Sequence, residues 1–469
     1  MSDDLWSWTA SDLATGIAAG AISSEEATLS ALARMEAVNP ALNAVVDPLP
    51  EAALEAARAA DAARAAGAPL GPLHGVPVTV KVNVDYAGRA TTNGVVALKD
   101  HIAPADGSVV RNLRAAGAVI LGRTNTPAFS YRWFTENDLH GETRNPWNAG
   151  VTPGGSSGGA SSATAAGVGA MGHGNDIGGS VRYPAYCCGL FGLRPTSGVI
   201  PAFNPSQTAE RPIVSQMSSV QGPLARSVAD IRLSMTAMAP RDPRDVWWTP
   251  SPAFDPVAVH RPCRVAVLAE AEAGPTDPVV SAAIRRAAGW LADAGYEVEE
   301  VAPPSLEEAA QLWVQILGNE ILGGFYDTLV THGDDRVRHS AGYLMRKVTE
   351  LGRAEFLAAF GRRSTLLRQW LTFFEDWPLV LTASGWQRPY PLGHDQKPDA
   401  DLPTLFSELS PMIAPPILGL PGLAVPTGEE GGLPTGVQLL AGRFQENLML
   451  SAGAVIEARA PAVRPIDPR

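Results

Sequence analysis

Valine recurs at every second position from Val76 to Val84, with Thr79, Lys81 and Asn83 among the residues between. In an extended chain these two sets face opposite sides, so the pattern predicts a strand with a lysine on the face away from the valines. The chain ahead of it is helical in pattern. Ser23-Ser24-Glu25-Glu26 offers a capping box, Ser23 to Glu26, before a helix that ends near Pro40. Pro50 to about Ala66 is alanine-rich, opens on proline and stops at Gly67, which predicts a second helix. Beyond the lysine strand, Gly107 to about Ala116 reads as a helix and Ala118-Val119-Ile120-Leu121 as a short buried strand. This β-α-β alternation predicts a sheet with helical cover.

From Asn145 to Thr196 the chain is dominated by glycine, serine, alanine and proline, with a small-residue helix at Ala160 to Ala166. Later strands are predicted at Arg264 to Leu268, Tyr296 to Val301, Leu379 to Leu381, Leu423 to Val425 and Gly436 to Leu440. Helices are predicted at Pro278 to Ala294, through most of 305–375, and from about Gln445 to Ala458. No charge run or flexible linker divides the chain, so one large α/β domain is expected.

Composition narrows the classes. The 469 residues are 45% hydrophobic and 18% charged, an ordinary globular balance. A net charge of −12 repels phosphate backbones and argues against a nucleic-acid partner. Met1-Ser2-Asp3-Asp4 is acidic without an apolar leader, and no stretch approaches the roughly 18 apolar residues of a membrane span. A cytoplasmic protein with no membrane partner is expected. Cys187, Cys188 and Cys263 do not make a disulfide framework. The adjacent pair reads as a metal or redox site, or as two small buried residues beside Gly189. The second is favoured, because no other cysteine or histidine cluster completes a metal site. The eight histidines are scattered and none has a zinc spacing, so neither metal nor cofactor is expected.

The candidate chemistry lies in the glycine-serine region. Pro153-Gly154-Gly155-Ser156-Ser157-Gly158-Gly159 contains two overlapping G-x-S-x-G matches, centred on Ser156 and Ser157. A nucleophile elbow needs a hydrophobic strand directly before it, and residues 144–150 are a poor strand. Gly167-Val168-Gly169-Ala170-Met171-Gly172 matches a dinucleotide fingerprint but lacks the strand ahead and the acidic residue about 20 positions on. Gly174-Asn175-Asp176-Ile177-Gly178-Gly179-Ser180 supplies closely spaced backbone N–H groups that suit a developing oxyanion, followed by a hydroxyl. Alternation alone puts Lys81 on a solvated face. Its valine-rich company and flanking Gly and Pro signals favour a desolvated amine, which loses its proton easily and acts as a base. His173, close to the glycine turn, is a second candidate base or a turn histidine.

Together these segments resemble the amidase signature family. The resemblance runs from Gly71-Pro72-Leu73-His74-Gly75-Val76-Pro77-Val78-Thr79-Val80-Lys81 through Gly122-Arg123-Thr124-Asn125 and Asn145-Pro146-Trp147-Asn148. It continues through the glycine-serine block to Phe191-Gly192-Leu193-Arg194-Pro195-Thr196 and resumes at 419–426 and 432–438. It implies a twisted mixed β-sheet core covered by α-helices on both faces, carrying a Ser–cis-Ser–Lys triad. By motif, Ser180 resembles the nucleophile, Ser156 the cis-peptide serine and Lys81 the base. The backbone of Ile177, Gly178, Gly179 and Ser180 resembles the oxyanion hole, and Ser157, Asp176 and Arg182 match supporting positions. Many members carry Lys-Asp-Asn where this chain has Lys81-Val82-Asn83, and many carry threonine where it has Asn175. The His173-Gly174-Asn175-Asp176 form resembles members that act on lactam, anilide or oligoamide bonds.

The resemblance divides the domain into N-terminal helices (1–70), a catalytic core (71–200) and a helical, substrate-shaping insertion (305–400). The expected activity is hydrolysis of a small-molecule carboxylic amide, including aryl amides, carbamates or oligoamides, through a Ser180 acyl-enzyme. Alternatives are the amidase-like component of a tRNA-dependent amidotransferase, an esterase-biased member, and a non-catalytic binding protein on the same fold. A homodimer is left open. The stretch 305–390 is rich in aromatic residues, Trp313, Phe325, Tyr343 and Trp370 among them. Most read as core, with one or two lining an apolar acyl or aryl pocket.

Overall fold

The structure, a computed structural model, describes residues 4–255, 257, 259–397 and 402–469. Met1 to Asp3 of the acidic N-terminus and residues 398–400 of the expected insertion lie outside the described residues.

The strands in chain order are β1 (Val45–Pro48), β2 (Pro77–Lys81), β3 (Val119–Thr124), β4 (Glu136–Asn137), β5 (Gly141–Glu142), β6 (Met171–Asp176) and β7 (Phe191–Arg194). They are followed by β8 (Val220–Ala225), β9 (Arg264–Val267), β10 (Glu297–Glu300), β11 (Leu379–Thr382), β12 (Gly422–Glu430) and β13 (Leu433–Ala441). β4 and β5 pair only with each other; the rest form a single mixed sheet in the order β1-β3-β2-β6-β8-β7-β12-β13-β11-β9-β10.

The period-2 pattern of the strands explains the helical cover. Leu379 and Leu381 enter one hydrophobic core while Val380 enters another. Val265 and Val267 part from Ala266 in the same way, and Leu423 and Val425 from Ala424. Successive side chains on a strand point to opposite faces, so each face of the sheet owns a core. One core is closed by helices such as Pro278–Asp293 and Glu446–Glu457, the other by Leu306–Glu320 and Ser410–Leu418. This is the expected α/β architecture with both faces covered. Among the described residues, no helix is long and apolar enough to cross a membrane.

Several expectations shift in detail. The helix Ser24–Leu42 has the Ser23–Glu26 capping box but runs two residues beyond Pro40, ending at Asn43 in a left-handed conformation with φ 50°. A proline in the last turn removes only one hydrogen bond, and the asparagine supplies the stop. β2 ends at Lys81 rather than at Val84, because the Val84 N–H folds back to the Lys81 carbonyl at 3.2 Å. All five β2 residues are buried, so the solvated reading of Lys81 is overturned. β6, β7 and β8 were not evident in the sequence. β6 contains Gly172 and Gly174, which read as turn residues. A Cβ on Gly172 would lie 2.7 Å from Thr164 Oγ1, and one on Gly174 would lie 2.6 Å from Ser157 Oγ. These glycines let the small-residue helix Gly158–Ala165 lie close against the sheet.

Gly172→Ala is therefore expected to overpack this contact and cost about 1–3 kcal/mol. Denaturant unfolding checks it; an unchanged midpoint would show that the helix has room to withdraw.

Candidate active site

β2 and β6 are neighbours and run parallel, so Lys81 and Asp176 leave the sheet at the same edge. Open α/β sheets place their ligands outside the carboxyl ends of strands. Beyond β6 the chain makes the turn Ile177 to Val181 before the helix Arg182–Cys188. Ser156 and Ser157 precede the helix Gly158–Ala165, and the Gly155–Ser156 peptide is cis. A Cβ on Gly155 would lie 2.5 Å from the Trp133 carbonyl carbon, so only glycine fits beneath that loop.

The Lys81 amine is buried and makes three contacts: Ser156 Oγ at 2.8 Å, Asn175 Oδ1 at 2.8 Å and Ser157 Oγ at 3.2 Å. Burial holds the amine well below its ordinary 10.5, against a partial opposing pull from the Asp176 charge. An ammonium would donate to all three oxygens. A neutral amine has two N–H groups and one lone pair, so one contact must reverse. The Asn175 oxygen can only accept. Its orientation is fixed because Asn175 Nδ2 donates to Asn83 Oδ1 at 2.9 Å and Asn83 Nδ2 donates in turn to Ser130 Oγ at 3.0 Å. Ser157 Oγ donates to the Asn175 carbonyl at 3.5 Å. The reversal therefore falls on Ser156, which gives its proton to Lys81 and keeps its own lone pairs open toward the cavity.

Below the glycine turn sits a buried ion cluster. Asp176 accepts from Arg182 Nε at 3.0 Å and Nη2 at 3.1 Å, and Arg194 Nη1 lies 3.6 Å from its Oδ1. Burial alone would raise the Asp176 carboxyl; the Arg182 and Arg194 guanidiniums and the hydrogen bonds outweigh it and hold the group below its ordinary value. Asp176 also takes the Gly179 N–H at 2.9 Å and the Val181 N–H at 3.3 Å. Gly179 has φ +100°, and a Cβ there would meet Met412 Cβ at 2.6 Å. With Gly179 committed to Asp176, the N–H groups of Ile177, Gly178 and Ser180 are the turn donors that make no protein hydrogen bond among the described residues. Gly179 was expected among the oxyanion-hole residues; in this structure its N–H is held by Asp176.

His173 is buried and held at both nitrogens. The Lys81 backbone N–H donates to Nδ1 at 3.4 Å, and Nε2 donates to Gln221 Oε1 at 2.8 Å. Burial, opposed by the Gln221 hydrogen bond and aided by the Lys81 charge, lowers it to about 4. Its accessible nitrogen is already spoken for by the β2 backbone, which disfavours it as the base. Cys187 and Cys188 are buried in the helix Arg182–Cys188, where burial pushes both thiols up, Cys188 to about 12. That matches two small core residues. Among the described residues, no group of three or more His, Cys, Asp or Glu could hold a metal ion.

Ser156 and Ser180 open into a cavity of about 360 Å³. Its lining combines polar and charged side chains, among them Asn83, Asn175, Arg211 and Glu320, with aromatic ones such as Phe129, Trp133 and Trp313. Phe129 meets Phe325 edge to face at 5.6 Å, and Trp133 meets Phe406 at 5.2 Å. The structure thus brings together Lys81, Ser156, Ser157, Asp176, Ser180 and Arg182 as the sequence led one to expect. Sequence reasoning missed Arg194 and Trp133, and it gave Trp313 no role beyond the pocket wall. It saw Asn175 only as a departure from a motif.

The fold and the groups gathered at this sheet edge are those of an α/β hydrolytic enzyme. The sequence profile of the Amidase family matches residues 26–450, and the chain belongs to that family. It is 47% identical to an indoleacetamide hydrolase of Bradyrhizobium diazoefficiens, over 97% of this chain and 87% of that protein. A glutamyl-tRNA(Gln) amidotransferase component of Acidothermus cellulolyticus is 34% identical over 97% of this chain and 95% of its own. The solved structure of a 6-aminohexanoate cyclic dimer hydrolase superposes with a TM-score of 0.84 at 28% identity, covering 98% of this chain and 99% of that one. The chain is a hydrolase of carbon–nitrogen amide bonds.

Removing one member of a buried ion cluster leaves charge uncompensated, so Asp176→Asn is expected to cost about 3–5 kcal/mol. Because folding lowers the Asp176 carboxyl, its stabilisation is complete above the ordinary value of 3.8 and is lost as pH falls through the lower folded value. Unfolding midpoints of both proteins across acid pH check this. Equal midpoints at neutral pH would mean that the arginines find other partners.

Proposed function

We propose that this chain hydrolyses a small primary arylacetamide, of the indole-3-acetamide type, through an acyl-enzyme on Ser180. The observation that carries the chemistry is the buried Lys81 amine 2.8 Å from Ser156 Oγ, with Ser156 and Ser180 lining one cavity. Ser180 attacks the amide carbon and passes its proton to Ser156, whose own proton moves to Lys81. The N–H groups of Ile177, Gly178 and Ser180 receive the oxyanion; each such donor is commonly worth about 3 kcal/mol. The C–N bond breaks as the proton returns from Lys81 through Ser156 to the leaving nitrogen. Water then enters by the same relay and releases Ser180 and an arylacetate.

The cavity supports the substrate class. Its volume of about 360 Å³ is at the low end for small-molecule sites, and aromatic rings, Trp133 and Trp313 among them, line it together with Ser156 and Ser180. A bicyclic aryl group with a short amide arm suits that lining. The relative at 47% identity is named for indoleacetamide hydrolysis, whereas the amidotransferase component stands at 34%. A net charge of −12 also favours a lone hydrolase, without cofactor or RNA, over a component of an amidotransferase. Unpaired, buried Cys187 and Cys188 suit a reducing cytoplasm.

Ser180→Ala is expected to abolish turnover with an unchanged circular dichroism spectrum; retained turnover would move the nucleophile elsewhere. Because burial lowers Lys81, the neutral amine is lost only toward acid. The kcat/KM profile should rise with pH through an ionisation well below 10.5. Lys81→Ala should lose at least about 10²-fold on amides, the usual worth of a positioned base. The same limb surviving in Lys81→Ala would assign the base to another group. Across a panel of amides, arylacetamides should exceed acetamide in kcat/KM by about 10-fold or more, from burial of the ring. A preference for acetamide or glutamine would sink the substrate assignment.

A further inference from the structure

The turn that ends in Ser180 has little to hold it from within. Gly178 and Gly179 carry no side chain, and glycine backbones rotate at low cost. Oxyanion donors act only if their direction is fixed before the reaction. The structure fixes it from outside. Trp313 Nε1 donates to the Ile177 carbonyl at 2.7 Å, and Trp133 Nε1 donates to the Gly178 carbonyl at 2.8 Å.

In a trans peptide the C=O and the following N–H point in opposite directions. Trp313, by holding the Ile177 carbonyl, therefore turns the Gly178 N–H away from itself, leaving it open for the substrate oxygen. Trp133 holds the Gly178 carbonyl while Asp176 holds the Gly179 N–H at 2.9 Å, so the second peptide plane is pinned at both ends. The two rings come from distant parts of the fold. Trp313 lies on the helix Leu306–Glu320, and Trp133 on the loop that packs against Gly155, next to Ser156. Ring atoms of Trp313 come within 3.0 Å of where a Gly178 Cβ would be, so the ring closes directly over the turn. Both rings also line the cavity.

We propose that Trp133 and Trp313 are positioning residues that set the peptide planes of the Ile177–Gly179 turn: Trp313 aims the Gly178 N–H at the oxyanion, and Trp133, with Asp176, locks the next plane and so the Gly178 backbone that carries this donor. This rests on the reading of Ser180 as the nucleophile. The indole N–H, rather than the ring surface, is the working part. The arrangement makes aryl binding and transition-state stabilisation share two side chains, so their loss should appear in kcat rather than only in KM.

The test uses Trp133→Phe and Trp313→Phe, which keep an aromatic wall and remove the N–H, with Ser180→Ala as control. Each is assayed on an arylacetamide and on acetamide. Affinity is measured for an arylboronic acid, which forms a tetrahedral adduct, and for the arylacetate product. The expected result is a fall in kcat of about 10-fold or more on both amides, short of the roughly 10²–10³-fold for outright loss of an oxyanion donor, because the donor is loosened and not removed. KM for the arylacetamide should change less than about threefold, and affinity for the boronate should fall in step with kcat while that for the arylacetate holds. A raised aryl KM with kcat and boronate affinity intact would overturn the proposal and leave the rings as pocket wall. If one variant fails to fold, shown by its thermal transition, the other carries the same test, because each ring holds a separate carbonyl. Should Ser180→Ala retain turnover, the nucleophile assignment falls and this inference with it. If Ser180→Ala is dead while both phenylalanine variants keep their kcat, only this inference falls.

Discussion

An amine buried beneath a protein surface is tolerated only if it is neutral or fully partnered, and Lys81 organises the catalytic edge through that requirement. Its three oxygens come from segments 75 or more residues away in sequence: Ser156 and Ser157 from the glycine-serine run, Asn175 from β6. To bring them within reach, β2 must pair in parallel with β6, and the helix Gly158–Ala165 must lie almost on the sheet. That closeness explains the glycines at 172 and 174, each of which faces an atom where a Cβ would go, while Gly155 makes room for the 132–134 loop. The nearby negative charge of Asp176 would favour an ammonium, but it is matched by Arg182 and Arg194, so its field at the lysine is offset.

The sequence disclosed the parts of the site that lie in short segments of unusual composition. Lys81, Ser156 and Ser180 each sit in such a segment, and so do the glycines that shape the turn. The residues that escaped notice act across long separations from unremarkable surroundings. Trp133 and Trp313 reach the turn from 45 and 136 positions away, and neither lies near a glycine or serine cluster. Arg194 could have been suspected, since a buried arginine at the end of β7 needs a carboxylate, but β7 itself was not evident. β6 failed the strand pattern because its glycines serve packing, and period-2 reasoning has no term for a side chain that is absent. Alternation alone misplaced Lys81 for a related cause, and its valine-rich company corrected the reading. Alternation distinguishes two faces, and only tertiary packing decides that both are covered.

The two cores make different contributions to the cavity. The core that includes Val78 and Val80 anchors β2 beneath the lysine. The other contains Tyr183, Trp313, Met412 and Leu405, and it supports both the helix after Ser180 and the aromatic wall. The site therefore lies where the sheet's second face meets the helices of 306–376 and the segment around Leu405. A change in the packing of those helices reaches the substrate before it reaches the lysine.

That separation has a consequence for redesign. The reacting groups stand beside glycines at 155, 174 and 179, where a Cβ would come within 2.6 Å of a neighbouring atom, and substitutions there have almost no latitude. Other lining comes from helical segments, where Leu317, Ile321, Phe325 and Leu344 meet the cavity with ordinary side chains. A library confined to these four positions would alter the shape and polarity offered to the acyl group while leaving the proton path intact. The scaffold thus behaves as a fixed reagent set facing an exchangeable mould, joined by the two indoles, and a new amide specificity is best sought in the mould.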